Sequence, residues 1–136
     1  MSSTRETILA AVKSILTTAN VASGRIYRER QEQIATLPAV EITFTANGGD
    51  ETCLGIMDHN LTVNVAVLAK GDTPSTAADA TLLAAHVALQ ADLSLGLGND
   101  VQMGARYEAD DEPGDLDYIR VTHRYTVIYR TATGSF

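Results

Sequence analysis

The sequence YEADDEPGDLDYIRVTHRYTVIYR, residues 107–130, contains the clearest structural signal in this chain. Its first part is acidic and includes Pro113 and Gly114, which predicts a turn. Its second part alternates apolar and polar residues, the pattern of a β-strand with one buried face. The residues 101–108 before it predict an antiparallel partner strand, joined to it through the acidic turn. The long strand is predicted to bury Ile119, Val121, His123, Tyr125, Val127 and Tyr129, and to place Arg120, Thr122, Arg124, Thr126 and Arg130 on its other face.

Three further strand patterns lie upstream. Residues 25–28 predict a short strand, and alternation in residues 40–45 and 59–68 predicts two longer ones. The sequence NGGD at residues 47–50 predicts a turn between the two longer strands. Residues 51–58 are compatible with an extension of that hairpin. The tail over residues 131–136 is expected to fray.

Two segments have helical periodicity. Ser3 and Glu6 form a capping-box pattern, and the apolar residues that follow predict a helix over residues 4–19. Pro74 suits the first turn of a second, alanine-rich helix that extends to about residue 92. Its core stripe is predicted at Ala78, Leu82, Ala85 and Leu89, with Leu83 and Val87 alongside.

This order of elements predicts one α+β domain over residues 1–136. Each strand has one apolar and one polar face, as in a mostly antiparallel, or mixed, sheet of four to five strands with two helices packed on one face. The opposite sheet face is either solvated or in contact with another subunit. It is predicted to carry Glu41, Thr43, Thr62, Asn64, Arg120, Thr122 and Arg124.

The composition fits a folded domain and argues against several partners. Of 136 residues, 45% are hydrophobic and 20% charged, an ordinary balance for a globular protein. The net charge of −7 argues against stable nucleic-acid binding, because phosphate contacts need clustered Lys and Arg. No secretory signal is visible, and no apolar stretch approaches the roughly 20 residues that cross a bilayer. The single cysteine, Cys53, excludes an internal disulfide.

The acidic turn is the main candidate site, and three interpretations of it are open. Its carboxylates could bind a divalent cation, although their spacing is not that of an EF-hand loop. They could form a solvated hairpin tip, or an acidic patch that meets arginines of a neighbouring subunit. We favour the patch, whose candidate interface residues are Asp110, Asp111, Glu112, Asp115, Asp117, Arg25, Arg28, Arg120 and Arg124, with Arg30 beside Arg28.

No pattern predicts catalysis, a cofactor or a metal site. The histidines His59, His86 and His123 lie in different elements without metal-ligand spacing, and His123 is predicted to be a buried, hydrogen-bonded histidine. Cys53 is predicted to be a half-buried apolar residue. Gly96 and Gly98 lack the third glycine of a dinucleotide fingerprint.

Three stretches carry a resemblance to a known family. A helix over residues 5–16 precedes a short strand and the sequence LPAV at residues 37–40; LTVNVAV at residues 61–67 precedes a loop and a long helix; and YTVIY at residues 125–129 closes the chain after the acidic segment. In this order the chain resembles the lambda-type tail terminators of long-tailed bacteriophages, also called minor tail protein U. It departs from them at residues 47–57 and near Gly96.

The resemblance implies a structural role without catalytic residues or cofactors. Tail terminators form hexameric rings that cap the growing tail tube, stop polymerisation of the major tail tube protein and present a surface to the head-side connector. DNA later passes through the ring. The implied location is the head-proximal end of the virion tail, after assembly in the host cytoplasm. A tail-completion or head-closure neck protein is the alternative, and a small metal-dependent hydrolase that uses the acidic turn and His123 is a remote one.

Overall fold

The computed structural model describes residues 3–29, 37–71, 73–113 and 118–136. Within them the chain forms two α-helices, a short 3-10 helix and five strands. In chain order they are α1 (Thr4–Thr18), the 3-10 helix (Val21–Gly24), β1 (Ile26–Tyr27), β2 (Ala39–Cys53), β3 (Ile56–Lys70), α2 (Pro74–Gln90), β4 (Val101–Pro113) and β5 (Tyr118–Ala132).

The five strands form one mixed sheet in the order β1-β2-β3-β5-β4. β1 pairs with β2 in parallel, and every other neighbouring pair is antiparallel. Both helices pack on one face of the sheet, which we call the inner face; the opposite face is the outer face. The predicted α+β class with a mostly antiparallel sheet is confirmed.

The core lies between the inner face and the helices. On β5 the predicted buried side is confirmed for Tyr125, Val127 and Tyr129, which are almost fully buried. Ile119, Val121 and His123, predicted on the same side, are only partly buried. On α2 the predicted stripe of Ala78, Leu82, Ala85 and Leu89 is buried. Leu83 and Val87 were expected beside that stripe, but they are 62% and 61% exposed. Their helical positions lie off the buried stripe, where they are open to solvent.

The predicted turn at residues 47–50 is wrong. β2 continues through it to Cys53, and the hairpin turns instead at Leu54 and Gly55, where Gly55 adopts a φ of +82°. The glycines at 48 and 49 lie at a register shift between β2 and β3, and Gly48 has a φ of +92°. Glycine is favoured both in turns and in β-bulges, so the sequence signal was real but marked a bulge. The extension of the hairpin through residues 51–58 is present.

Three smaller predictions also need correction. Asp110, Asp111 and Glu112 lie in β4 and not in a turn, since β4 extends five residues beyond its predicted end. Cys53 is exposed at the tip of the hairpin, not half-buried. Residues 131–136 were expected to fray, yet the Phe136 carbonyl accepts a hydrogen bond from the Thr4 amide at 2.7 Å.

The predicted start of α1 is confirmed by its cap. The Ser3 Oγ accepts a hydrogen bond from the Glu6 amide at 3.1 Å, which satisfies one of the free donors of the first turn. Among the described residues, no helix is long and apolar enough to cross a membrane.

Candidate interaction surface

The outer face contains a buried ion pair at its centre. Arg120 on β5 extends diagonally across β3 and donates to the carboxylate of Glu41 on β2. It can cross β3 there because the intervening residue beside it is the small Ala66. The Glu41 side chain is 1% exposed and that of Arg120 is 11% exposed. The pair therefore links β5 to β2 across β3, and both side chains are largely buried.

Other polar side chains of the outer face are also paired within the chain. The Arg124 guanidinium donates to Asp110 at 2.9 Å, and Arg130 contacts both carboxylate oxygens of Asp58 at 2.7 and 3.2 Å. The arginine holds the pKa of Asp58 below its usual value, mainly through this hydrogen bond. Asn64 donates to the Thr43 hydroxyl. The outer face therefore satisfies much of its own polarity.

β4 forms one edge of the sheet and is strongly acidic. We call Glu108, Asp110, Asp111 and Glu112 the acidic edge. Glu108, Asp110 and Glu112 stand opposite Arg124, Thr122 and Arg120 of β5, so they share the outer face, whereas Asp111 belongs to the inner face. The candidates Asp115 and Asp117 lie outside the described residues.

Two candidate arginines flank β1, at the opposite edge. The Arg25 Nε donates to the Pro38 carbonyl at 2.9 Å. Arg28 forms a two-pronged ion pair with Glu6, both distances being 3.1 Å, and this pair lowers the pKa of Glu6. Arg30 lies outside the described residues. The structure therefore places the acidic residues and Arg25 and Arg28 at opposite sides of the molecule.

A cluster of two histidines and two tyrosines connects α2 with β4 and β5. The Tyr125 hydroxyl lies 2.9 Å from the Nδ1 of His86 and 3.4 Å from that of His123, and Tyr107 stacks on His123 with ring centroids 4.4 Å apart. Burial, with a smaller effect of His86, lowers the pKa of His123. Burial also raises the pKa of Tyr125 to about 12. His123 was predicted to be buried and hydrogen-bonded; it is half-buried, and its Nδ1 lies near the Tyr125 hydroxyl.

Sequence patterns missed several exposed apolar side chains. Phe44 alternates with polar residues in its strand as a core residue would, but it is 43% exposed, and Tyr107 on β4 is 44% exposed. Each residue does lie on the inner face. Each is exposed because its strand is at a sheet edge, beyond full cover by the helices. Strand order would have been needed to recognise this.

The outer face and the acidic edge could contact a partner through shape and charge. In the described ranges, no group of three or more His, Cys, Asp or Glu side chains could hold a metal ion. The acidic edge is spread along one strand, which separates its carboxylates onto two faces of the sheet. The carboxylates of the acidic edge therefore form an extended strip and not one compact cluster.

Comparison with known proteins gives a structural match only. No protein-family model matches this sequence, and no curated protein matches it. Among solved structures, the chain is similar to one in the virion of a native gene transfer agent (GTA) particle. The TM-score is 0.53 at 17% sequence identity, and the match covers 91% of this chain and 95% of the other. At this identity the likeness shows a shared fold that extends over nearly the whole of both chains.

Proposed function

We propose that this protein is a structural component of a phage-type virion and acts as its tail terminator. The observation that carries the proposal is the whole-length likeness to a chain from a virion particle. The resemblance of LPAV and YTVIY to the tail terminators supports the same role independently of the fold. In this role the protein forms a ring, a hexamer in the manner of that family, and caps the tail tube.

The distribution of charge supports a ring. A closed ring needs a heterologous contact, in which one surface of each copy binds a different surface of the next. The acidic edge and the arginines Arg25 and Arg28 lie on opposite sides of the sheet, as such a contact requires. Arg28 is also paired within its chain, with Glu6, but it lies at the edge away from β4. Arg120 and Arg124 were candidates too, but they lie on β5, next to β4, and bind Glu41 and Asp110 of the same chain. We therefore assign Arg124 to the acidic edge of its own copy and Arg120 to the buried pair of the outer face.

The remaining partners follow from the proposed role. One ring face binds the major tail tube protein and the other binds the head-side connector or neck protein, with no bond-making step and no cofactor. DNA passes through the ring without stable binding, because each copy carries a net charge of −7 and nonspecific DNA affinity comes from cationic side chains. The protein is then located in the virion, at the head-proximal end of the tail.

A polymerisation assay tests this role. The tube protein of the same virus is polymerised with and without this protein, and tube lengths and ends are imaged by electron microscopy. A terminator yields shorter tubes that carry a ring at one end. Tubes of unchanged length with bare ends would contradict the proposal. Binding to the connector, but never to tube ends, would instead favour a head-closure neck protein.

A further inference from the structure

An exposed apolar patch lies beside the β4 edge. It consists of Leu83 and Val87 on α2 and Tyr107 on β4, and we call it the Tyr107 patch. His86 is three residues after Leu83 and one before Val87, and its ring lies 5.0 Å from that of Tyr107. Gln90, one turn further along, reaches Met103 of β4 at 3.7 Å. These contacts turn this side of α2 toward β4, so the three apolar side chains lie on one side of the molecule.

A second exposed apolar patch lies at the opposite edge. Phe44 on β2 and Phe136 are 43% and 51% exposed, and we call them the Phe44 patch. The Arg5 guanidinium lies between their rings, 5.5 Å from the centroid of Phe44 and 4.6 Å from that of Phe136. The Thr4 amide of α1 also donates a hydrogen bond to the Phe136 carbonyl. The patch is therefore fixed in place by α1.

The two patches lie at the same height on the same face of the sheet. Phe44 stands opposite Val63, Val63 opposite Tyr125, and Tyr125 opposite Tyr107. This one row crosses the sheet from the β2 edge to the β4 edge. A second copy placed beside the first, without a shift along the strands, therefore brings its Phe44 patch against the Tyr107 patch.

Strand direction favours the same placement. β2 is antiparallel to β3, β3 to β5 and β5 to β4, so β2 and β4 run in opposite directions. Side by side, the β4 edge of one copy and the β2 edge of the next continue the antiparallel alternation. β1 covers only Val40 and Glu41 of β2. In the part of the chain that the structure describes, no strand pairs with β2 beyond them on that side.

The charges at the two edges also match in this placement. Asp110 stands opposite Thr122, Thr122 opposite Ala66, and Ala66 opposite Glu41. Glu41 in turn stands opposite Tyr27 of β1, so these residues form one row across the sheet. The acidic edge of one copy thus reaches the height of β1 of the next, where Arg25 and Arg28 flank the strand. A two-fold contact between two β4 edges would instead bring four carboxylates of each copy together. Like charges across strands oppose that arrangement.

We propose that copies of this chain associate head to tail through the Tyr107 patch of one copy and the Phe44 patch of the next, with the acidic edge beside Arg25. The occupant of each patch is a second copy of this chain. The inference rests on the proposed ring and assigns its subunit contact. The apolar patches supply the contact area, and the charges set register and exclude the two-fold alternative.

Cysteine crosslinking tests the contact directly. Phe44→Cys and Tyr107→Cys are made separately in a Cys53→Ser background, and the two variants are mixed and oxidised. Within one copy, β2 and β4 are three strand spacings apart, about 14 Å, beyond the Cα separation of about 7 Å that a disulfide tolerates. Every disulfide between these positions therefore joins two copies. We expect at least tenfold more disulfide-linked dimer in the mixture than in either variant alone.

The other outcomes separate this inference from the proposed function. Rings seen by native mass spectrometry without the Phe44–Tyr107 crosslink overturn the proposed contact and leave the ring intact. Self-crosslinking of Tyr107→Cys alone overturns it in favour of a two-fold contact. Absence of both crosslinks and assemblies, in solution and on tube ends, overturns the contact and the terminator role together.

Charge substitution provides a second test with a matched control. Leu83→Asp with Val87→Asp changes only exposed positions of α2, so the fold should be retained, and we expect self-association at least tenfold weaker. Leu54→Asp introduces the same chemistry at a residue that is 95% exposed at the hairpin tip, away from both patches. It should leave self-association unchanged. Equal effects of the two changes, or no effect of the double change, would refute the contact.

Discussion

The outer face and the edges of this sheet differ in how their charges are satisfied. On the outer face, Arg120 is buried against Glu41, and Arg130 binds Asp58. At the β4 edge, Glu108, Asp110, Asp111 and Glu112 concentrate negative charge beside an exposed apolar patch. Burial of the Glu41–Arg120 pair on the outer face contributes to stability, whereas exposed carboxylates beside an exposed apolar patch are suited to a partner. The proposal therefore assigns subunit contacts to the edges.

The largest expected effect is on the buried pair of the outer face. Arg120→Met leaves the Glu41 carboxylate buried without its cation, and we expect a loss of about 3–5 kcal/mol in the free energy of unfolding. Urea melts measure it. The double change Glu41→Leu with Arg120→Met should recover most of the loss, because no charge is then left buried. Arg130→Met, which breaks an exposed pair, should cost only a small fraction as much. Equal losses for Arg120→Met and Arg130→Met would erase the contrast between buried and exposed pairs.

A slightly smaller effect is expected from the core beneath α2. Leu82 is 5% exposed and its neighbour Leu83 is 62% exposed, so the two residues form a matched pair. Leu82→Ala should cost about 2–5 kcal/mol, through lost burial and a residual cavity. Leu83→Ala should change stability by no more than about 0.5 kcal/mol. Similar losses at both positions would mean that α2 packs with a different face.

A modest pH effect is expected from His123. It is packed against His86, Tyr107 and Tyr125, with Asp79 of α2 near enough to act in the opposite direction. Because burial lowers its pKa in the folded protein, the unfolded chain binds this proton more readily. The stabilising contribution of neutral His123 is fully present above the ordinary histidine pKa of about 6.5. It is lost as the pH falls through the lowered pKa of the folded state.

Unfolding melts at several pH values measure this loss. Carboxylates with lowered pKa, such as Glu6 and Asp58, titrate further down and are present in both proteins. His123→Phe should therefore flatten the decline between about pH 7 and pH 5. A variant whose stability declines as steeply as the parent over this range would show that His123 is not responsible.

The smallest effect on stability is expected at the acidic edge. Asp110→Asn, Asp111→Asn and Glu112→Gln together remove exposed charges, among them the ion pair of Asp110 with Arg124, and exposed pairs are worth about 0.2–1 kcal/mol each. The same triple change should clearly impair ring formation, because interfacial charges determine register and partner choice. Urea melts and native mass spectrometry are compared on the same samples. A sharp fall in stability with normal assembly would make these residues structural.

Local periodicity predicted the faces of this fold well. The alternation on β5 and the stripe from Ala78 to Leu89 depend only on spacing along the chain. The structure confirms the stripe, and it confirms the buried face of β5 from Tyr125 to Tyr129. The capping box at Ser3 is equally local. These features needed no knowledge of which strands are neighbours.

The remaining features depend on strand order and register, which spacing does not determine. Phe44 alternates like a core residue, yet it is exposed because β2 borders the sheet there. Arg120 looked available for a neighbouring subunit, but Glu41 lies two strands away and pairs with it. The glycines at 48 and 49 satisfied a turn pattern that a bulge satisfies equally well. Exposure at a sheet edge, pairing across strands and the position of a bulge are tertiary properties, and spacing along the chain does not determine them.

The most direct test of the central claim is the mass of the assembled species. Native mass spectrometry of the purified protein over a range of concentrations, and imaging of tail-tube ends to which it has been added, measure the number of copies in contact. We predict a closed ring, a hexamer by the family resemblance, that the Leu83→Asp, Val87→Asp variant fails to form. Monomers alone in solution and on tube ends, or a two-fold dimer as the final assembly, would contradict the account.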